Sequence, residues 1–346
     1  MENIKIISWG LGAMGSGIAK VVMSKKGMEL VGAIDLDPNK VGKDINEILG
    51  TNYKPVIISS NHEEVIKKGV ADVVIIATSS FTEKVFPLIK FAVSQGINVI
   101  TTAEEMSYPA AQHKDLAAEI DRIAKENNVT VLGTGINPGF VLDYLVIALT
   151  GVCTEVDSIK AARINDLSPF GKAVMDEQGV GLMPEEFNEG VKKGTVAGHI
   201  GFPESINMIC DALGWKLSSV EETREPIISN TERETEYVKV KPGYVAGCKQ
   251  IGYGKVDDQL KIYLEHPQQV LPLKENIETG DYIEIKGNPD IKLTIKPEIP
   301  GGIGTIAICV NMIPHVINAE PGLATMLDLP VPRAILGDAR NMIRRK

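Results

Sequence analysis

The chain has 346 residues, of which 44% are hydrophobic and 23% are charged, and its formal net charge is −9. This length predicts two domains, and the acidic balance argues against nucleic acid or an anionic membrane as a partner. The four cysteines lie far apart without a CxxC spacing, and no secretory signal precedes the first strand, so we expect free thiols in a cytoplasmic protein.

Strands and helices alternate through the first 135 residues. Strands are predicted over 4–9, 30–35, 55–59, 72–77, 97–101 and 129–133, and helices over 16–26, 40–49, 62–68, 81–94 and 109–127. The apolar run 73–77 is typical of a parallel strand that is covered on both faces. The alternation predicts an α/β Rossmann fold, a doubly wound parallel sheet, for a domain covering residues 1–150.

A glycine-rich turn follows the first strand. Its sequence is Gly10-Leu11-Gly12-Ala13-Met14-Gly15, and the next apolar run ends at Asp35. In dinucleotide-binding units the first glycine permits a tight turn, the second lets the backbone approach the pyrophosphate, and the third lets helix and strand pack closely. A carboxylate at Asp35 suits a ribose hydroxyl and repels a 2′-phosphate, which favours NAD over NADP. A glycine-rich turn without a ligand is the alternative.

The carboxyl ends of the other parallel strands are the expected places for further cofactor contacts. Short polar segments stand there, after the fourth, fifth and sixth strands. The predicted cofactor-binding residues beyond the glycine turn are Ala77, Thr78, Ser79, Thr102, Ala103 and Asn137.

Two adjacent carboxylates, Glu104 and Glu105, follow the fifth strand directly. A carboxylate near a nicotinamide can bind a substrate ammonium or take a proton from it. Because adjacent side chains point in different directions, we expect one of the two to act in this way and favour Glu104. The alternative is an N-cap pair on the next helix, where the helix dipole favours acidic residues.

The pattern changes after residue 150. Strands are predicted over 156–166, 216–222, 236–240, 245–254, 258–265, 281–286 and 291–296, and helices over 184–192 and 203–213. We therefore predict a second, α+β domain over 151–300, with a mainly antiparallel mixed sheet that serves substrate binding and dimerisation. The stretch 171–198 is rich in glycine and charge, which favours a mobile loop over a site. The last two strands are predicted to form a hairpin.

Residues 301–319 carry no Lys, Arg, Asp or Glu and are long enough to span a bilayer. Their glycines and prolines, together with Asn311 and His315, favour instead a buried helix in the core or at a subunit interface. Helices 303–318 and 332–344 are predicted to return to the first domain, so that 301–346 form its last part. We expect a homodimer.

Candidate substrate-binding residues lie in the second domain. Arg163 and Asn165 alternate along a predicted strand and so share a face, and a guanidinium suits a substrate carboxylate. A surface salt bridge is the alternative for Arg163. His199 precedes a helix and His266 ends a strand, and both are candidates for substrate contact, although a single histidine is more often structural. No HExxH motif or paired Cys/His set appears, so no metal site is predicted.

Several segments together resemble one family. They are the glycine turn, Thr101-Thr102-Ala103-Glu104-Glu105-Met106, Gly133-Thr134-Gly135-Ile136-Asn137-Pro138-Gly139-Phe140, and the tail segment 311–321. The chain resembles the dihydrodipicolinate reductase-like dehydrogenases over essentially its whole length. Within that superfamily it is most similar to 2,4-diaminopentanoate dehydrogenase and the related native amine dehydrogenases.

The resemblance implies NAD(P)-dependent, reversible oxidative deamination of (2R,4S)-2,4-diaminopentanoate to 2-amino-4-oxopentanoate and ammonia, in ornithine degradation. It implies that the family's catalytic glutamate is Glu104 or its neighbour Glu105, and that cofactor use can extend to NADP. The lysine-bearing His-His motif of dihydrodipicolinate reduction is absent. A dehydrogenase of another amine or amino acid, a cyclic-imine reductase and a non-catalytic NAD-binding sensor are the alternatives.

Overall fold

The computed structural model describes residues 2–344 and separates into two compact units. The first contains Met1–Phe140 and Pro300–Lys346, and the second contains Val141–Ile299. The boundary lies at residue 140, whereas the sequence analysis placed it at 150. The difference arises because the helix over 144–150 packs within the second unit, where Ser205 Oγ donates to Asp143 Oδ2 over 2.9 Å.

The first unit alternates strands and helices as the sequence predicts. Its elements before residue 140 are β1 (Ile4–Trp9), α1 (Ala13–Ser24), β2 (Met28–Ile34), α2 (Ile45–Leu49), β3 (Ile58–Ser59), α3 (His62–Val65), β4 (Val73–Ile76), α4 (Thr82–Ser94), β5 (Asn98–Thr101), α5 (Lys114–Glu126) and β6 (Thr130–Gly133). The predicted helix 109–127 is shorter, because two 3-10 turns, Glu104–Ser107 and Pro109–Ala111, precede α5.

The core of the first unit lies on both faces of its parallel sheet. All four residues of β4 are fully buried, as expected for a central strand with helices on each side. Helix α4 buries Val85, Ile89, Ala92 and Val93, which recur on one face at helical spacing. This layering leaves the carboxyl ends of the strands as the place where side chains and backbone groups remain accessible to a ligand.

The second unit is an α+β unit. Its elements are α6 (Tyr144–Thr150), β7 (Glu155–Asp166), α7 (Lys172–Glu177), α8 (Pro184–Lys193), α9 (Phe202–Leu213), β8 (Leu217–Ile228), β9 (Arg233–Glu234), β10 (Lys239–Val240), β11 (Val245–Val256), β12 (Gln259–Gln269), β13 (Gly280–Asn288) and β14 (Ile291–Ile295). Its main sheet has the order β14-β13-β7-β12-β11-β8. Only the pairing of β12 with β7 is parallel within this sheet, so the predicted mixed, mainly antiparallel sheet and its β13–β14 hairpin are confirmed.

The stretch 171–198 differs from the mobile loop that its composition suggested. It contains α7 and α8, and it buries Met175, Val180, Phe187 and Val196 against strands of the second unit. The apolar residues are few and irregularly spaced, so their burial did not appear as a periodic pattern. A segment anchored by a fully buried phenylalanine is a packed part of its unit.

The chain returns to the first unit through α10 (Gly301–Asn318) and β15 (Gly322–Ala324). Strand β15 pairs with β6 and completes a seven-stranded parallel sheet of order β15-β6-β5-β4-β1-β2-β3. Helix α10 is long and apolar enough to cross a membrane, but half of its residues are buried within the structure and it packs against α1. The predicted buried helix is therefore found.

The predicted helix over 332–344 is wrong. The segment is irregular apart from a 3-10 turn at Ala339–Met342. Its backbone is held by two asparagines of α10, because Asn311 Oδ1 accepts from Ile335 N and Asn318 Nδ2 donates to Met342 O. Pro330 and Pro332 also disfavour a helix at its start.

Candidate functional site

The glycine turn of the first unit has the geometry of a dinucleotide cradle. Gly10 has a φ of +92°, and a Cβ there would lie 2.5 Å from the carbonyl oxygen of Ala77. A Cβ on Gly15 would lie 1.8 Å from the carbonyl oxygen of Gly10, whereas a Cβ on Gly12 would meet nothing within 4 Å. Gly10 and Gly15 are therefore required by close packing, and the space beside Gly12 is open for a ligand to approach.

Helix α1 begins at this open space. Its N-cap is Gly12, which supplies no side-chain hydrogen bond to the first turn. The N–H groups of that turn, which include those of Ala13 and Met14, can therefore bind an anion, and the helix dipole favours a negative charge there. The cradle and the uncapped helix fit the pyrophosphate of a nicotinamide dinucleotide.

Asp35 lies directly after β2 and is bound to the same turn. Its Oδ2 accepts from Leu11 N over 2.7 Å, and its Oδ1 accepts from Asp37 N over 2.8 Å. Burial alone would raise the pKa of Asp35, but these two N–H groups and the nearby Lys40 ammonium lower it overall. An ionised carboxylate is thus fixed at the end of β2, in the position from which the sequence predicts ribose recognition.

The other predicted cofactor-binding residues stand at neighbouring strand ends. Ala77 N donates to Trp9 O over 2.8 Å, which joins the end of β4 to that of β1. Thr102 N donates to Ile76 O over 3.1 Å and Thr134 N to Thr101 O over 3.0 Å, which joins the ends of β4, β5 and β6. The first unit therefore brings together at one sheet edge the glycine turn, Asp35 and the residues Thr78, Ser79, Ala103, Glu104 and Asn137.

Glu104 and Glu105 have different surroundings although they are adjacent. Glu105 is buried, and its Oε2 accepts from Thr82 N over 2.6 Å and lies 3.1 Å from His113 Nε2. It thereby caps the start of α4. The N-cap alternative is thus found for Glu105, but on the helix that precedes it in sequence and not on the next one. Glu104 is half-buried at the start of a 3-10 turn, which leaves part of its side chain accessible.

The four predicted substrate-binding residues come together in the second unit. Arg163 and Asn165 are buried on one face of β7, and His266 lies on the adjacent β12. The imidazole rings of His266 and His199 stack with their centroids 4.8 Å apart and an interplanar angle of 16°. The structure therefore gathers these side chains around one face of the sheet.

Arg163 makes a buried ion pair instead of the surface salt bridge considered above. Its Nη1 lies 2.5 Å from Asp281 Oδ1, and its Nη2 donates to Ile299 O over 2.5 Å. Ile299 N in turn donates to Asp281 Oδ2 over 2.8 Å. Two guanidinium nitrogens are therefore committed within the unit, and recognition of a substrate carboxylate by Arg163 stays a prediction.

The two stacked histidines are neutral at neutral pH. Burial, together with repulsion from Arg163 and Arg224, lowers the pKa of His199 to about 3. Burial, His199 and Arg163 lower the pKa of His266 well below its ordinary value. A neutral imidazole has one nitrogen that donates and one that accepts, so the pair can bind a polar substrate without adding charge.

Sequence analysis missed the residue that holds the His199 segment. Gln250 is buried, its Oε1 accepts from His199 N over 2.7 Å, and its Nε2 donates to His199 O over 2.8 Å. It stands opposite His266 on β12 and opposite Arg224 on β8. A glutamine inside the otherwise apolar strand 245–254 is the signal that could have found it. Within residues 2–344, no three His, Cys, Asp or Glu side chains are grouped as metal ligands.

Comparison with known proteins agrees with this geometry. Residues 140–345 match the family described as the 2,4-diaminopentanoate dehydrogenase C-terminal domain, and residues 4–128 match the dihydrodipicolinate reductase N-terminus. The chain is 54% identical to the 2,4-diaminopentanoate dehydrogenase of Acetoanaerobium sticklandii, over 99% of this chain and 98% of that protein. The chain belongs to the 2,4-diaminopentanoate dehydrogenase family.

Amine dehydrogenases are also similar to this member of the family. The amine dehydrogenase of Streptomyces virginiae is 23% identical over 96% of this chain and 98% of its own length. The solved structure of the amine dehydrogenase from Mycobacterium smegmatis has a TM-score of 0.86 and 26% identity, and the match covers 97% of this chain and 98% of that one. The protein is thus an oxidoreductase with a Rossmann unit, a dehydrogenase of the kind that acts on amines.

Proposed function

We propose that the protein catalyses the reversible, NAD-dependent oxidative deamination of (2R,4S)-2,4-diaminopentanoate to 2-amino-4-oxopentanoate and ammonia. The identity of 54% over 99% of the chain to a 2,4-diaminopentanoate dehydrogenase carries this proposal. Its place is then the degradation of ornithine in the cytoplasm. The bound nicotinamide would supply a hydride acceptor, and the protein's own residues would bind the substrate and move its protons.

Glu104 is the proposed base. An amine cannot lose hydride while it carries a full ammonium charge, so a carboxylate must first take a proton from the substrate nitrogen. The same carboxylate then stabilises the iminium carbon–nitrogen cation and orients the water that attacks it, after which ammonia leaves. What supports Glu104 over Glu105 is that Glu105 already caps α4 at Thr82 and pairs with His113.

The polar face of the second unit is the proposed binding surface for the rest of the substrate. The candidates remain Arg163, Asn165, His199 and His266. Because Arg163 is held by Asp281 and Ile299, we assign the direct hydrogen bonds to Asn165 and the neutral histidines, with Arg163 supplying positive potential for a carboxylate. The low pKa of both histidines supports a role in hydrogen bonding over one in acid–base chemistry.

NAD is the proposed cofactor, since Asp35 offers an ionised carboxylate at the end of β2. Two solved structures with the same fold hold this cofactor. One is GenD2 of gentamicin A biosynthesis in complex with NAD, with a TM-score of 0.51 and 17% identity. The other is myo-inositol dehydrogenase of Lactobacillus casei with NAD(H) and myo-inositol, with a TM-score of 0.57 and 14% identity. A homodimer is also proposed, because the second sheet ends in two edge strands, β14 and β8, that a second copy can cover.

A substrate panel tests the proposed activity. NADH formation is measured with 2,4-diaminopentanoate, with simple amines that lack a carboxylate, and with other amino acids. We expect the highest kcat/KM for 2,4-diaminopentanoate, with ammonia released in equal amount to NADH. A higher kcat/KM for a simple amine would favour the alternative of a general amine dehydrogenase, and NAD binding without turnover of any amine would favour the non-catalytic sensor.

A further inference from the structure

A lysine stands beside the carboxylate that reads the ribose. Lys40 Nζ lies 3.4 Å from Asp35 Oδ2 and 3.6 Å from Asp37 Oδ2, and it donates to Leu11 O over 3.0 Å. Its side chain is only 24% exposed. The ammonium is therefore held in one place by three acceptors and does not extend freely into solvent.

Leu11, in the glycine turn, binds both charged residues. Its N–H donates to Asp35, and its carbonyl oxygen accepts from Lys40. A negative and a positive group are thus fixed on the same residue of the dinucleotide cradle. Because Asp35 is placed to meet the ribose hydroxyls, Lys40 lies at the same end of the cofactor.

The two charges have opposite consequences for a cofactor that carries a 2′-phosphate. An isolated carboxylate repels that phosphate, and such a site is selective for NAD. An ammonium at 3.4 Å from the carboxylate cancels much of this repulsion and adds N–H donors, and lysine is a common ligand of phosphate groups. The turn 35–40 therefore carries both an NAD-selective group and a group that suits NADP.

We propose that Lys40 is the specificity-determining residue that lets this site accept NADP as well as NAD, by binding the 2′-phosphate. The inference rests on the proposed function, since it requires a nicotinamide dinucleotide on the glycine turn. It assigns a separate role to each charged residue: Asp35 binds the ribose of NAD, and Lys40 compensates for Asp35 when NADP binds.

Equilibrium binding without substrate tests the proposal. NADH and NADPH are titrated by nicotinamide fluorescence, and 2′,5′-ADP and 5′-ADP are titrated by calorimetry. Lys40→Gln should raise the Kd for NADPH and for 2′,5′-ADP roughly 10- to 100-fold, the scale of one charged hydrogen bond. The Kd for NADH and 5′-ADP should change by less than about threefold, since neither ligand has a 2′-phosphate.

Controls separate phosphate recognition from a structural role in the turn. Lys43 lies in the same segment and is exposed, so Lys43→Gln should leave all four Kd values unchanged. Lys40→Arg keeps the charge and should retain NADPH binding. The salt dependence of NADPH binding should exceed that of NADH binding in the native protein, and this excess should disappear in Lys40→Gln.

Three results would overturn the inference. Lys40→Gln could weaken NADH and NADPH equally, which would make Lys40 a structural support of the turn. The native protein could bind NADH but not NADPH, or it could bind neither nucleotide, in which case the proposed cofactor fails as well. A protein that binds both nucleotides as predicted but turns over no amine would contradict the proposed function alone.

Discussion

The two units hold their charged groups in different ways. In the first unit, carboxylates at strand ends are bound by backbone N–H groups, as Asp35 is by Leu11 and Asp37 and Glu105 is by Thr82. In the second unit, charged and polar side chains bind one another on a buried sheet face, as Arg163 does Asp281. The comparison teaches that the first arrangement depends on local turns, whereas the second depends on strand register across the whole unit.

The buried ion pair should be the costliest point of the second unit to break. Asp281→Asn leaves the Arg163 guanidinium buried without its carboxylate, and removing one partner of such a pair costs about 3–5 kcal/mol of stability. The two tryptophans allow each unit to be followed, since Trp9 lies in the first unit and Trp215 in the second. In a Trp9→Phe background, urea unfolding monitored at Trp215 should shift to lower urea in Asp281→Asn.

The matched control lies at the surface. Lys296 pairs with Glu278 in the same unit, but both side chains are about half exposed or more. Glu278→Gln should change stability by about 1 kcal/mol or less, as exposed pairs do. Equal losses in Asp281→Asn and Glu278→Gln would show that the second unit does not depend on its buried charges.

The stacked histidines should make the second unit sensitive to acid. Both pKa values are depressed in the folded state, that of His199 to about 3, whereas an unfolded histidine titrates near 6.5. Between these values the unfolded state binds more protons, so stability falls as the pH falls below 6.5. At pH 5 the loss should be about 2 kcal/mol for each histidine.

The same Trp215 reporter measures this acid sensitivity. Unfolding free energies at pH 7.5, 6 and 5 should show a shallower pH dependence in His199→Gln than in the Trp9→Phe parent. His62→Gln, which changes the first unit, is the control and should follow the parent. An unchanged slope in His199→Gln would mean that His199 is accessible to protons in the folded protein.

Asp35 should show how much the first unit depends on one local contact. Asp35→Ser removes the carboxylate that faces the ribose and also leaves Lys40 without its nearest charge partner at Oδ2. NADH binding should weaken by about 1–2 kcal/mol, and NADPH binding should strengthen, because the repulsion of the 2′-phosphate is lost. Fluorescence titration of both nucleotides checks this, and unchanged Kd values for both would show that Asp35 does not face the ribose.

The contrast between the units also explains which features the sequence predicts. The glycine turn, Asp35 and the alternating elements of the first unit follow from neighbours in the chain, and the structure has them close to the predicted positions. Strand β15 was missed because three residues carry no periodicity. The helix predicted over 332–344 was wrong because contacts from Asn311 and Asn318, distant in sequence, determine the path of that segment.

Long-range partners limit what the sequence shows about the candidate site. Alternation along one strand predicted that Arg163 and Asn165 share a face, and they do. The partner of Arg163 is 118 residues away, and the N–H group that binds Glu105 belongs to a helix 23 residues earlier. Neither contact has a local signal, so the sequence could name the charged residues but not their partners.

The difference between Glu104 and Glu105 tests the account most directly. Initial rates of NADH formation with saturating 2,4-diaminopentanoate are measured for Glu104→Gln and Glu105→Gln, alongside NADH binding as a control for folding. The account predicts that Glu104→Gln lowers kcat by about 10²–10⁴, the contribution of a positioned base, while NADH still binds. Glu105→Gln should chiefly lower thermal stability, since it weakens the cap of α4. Near-normal turnover in Glu104→Gln would contradict the account, and a loss in Glu105→Gln alone would move the base to that residue.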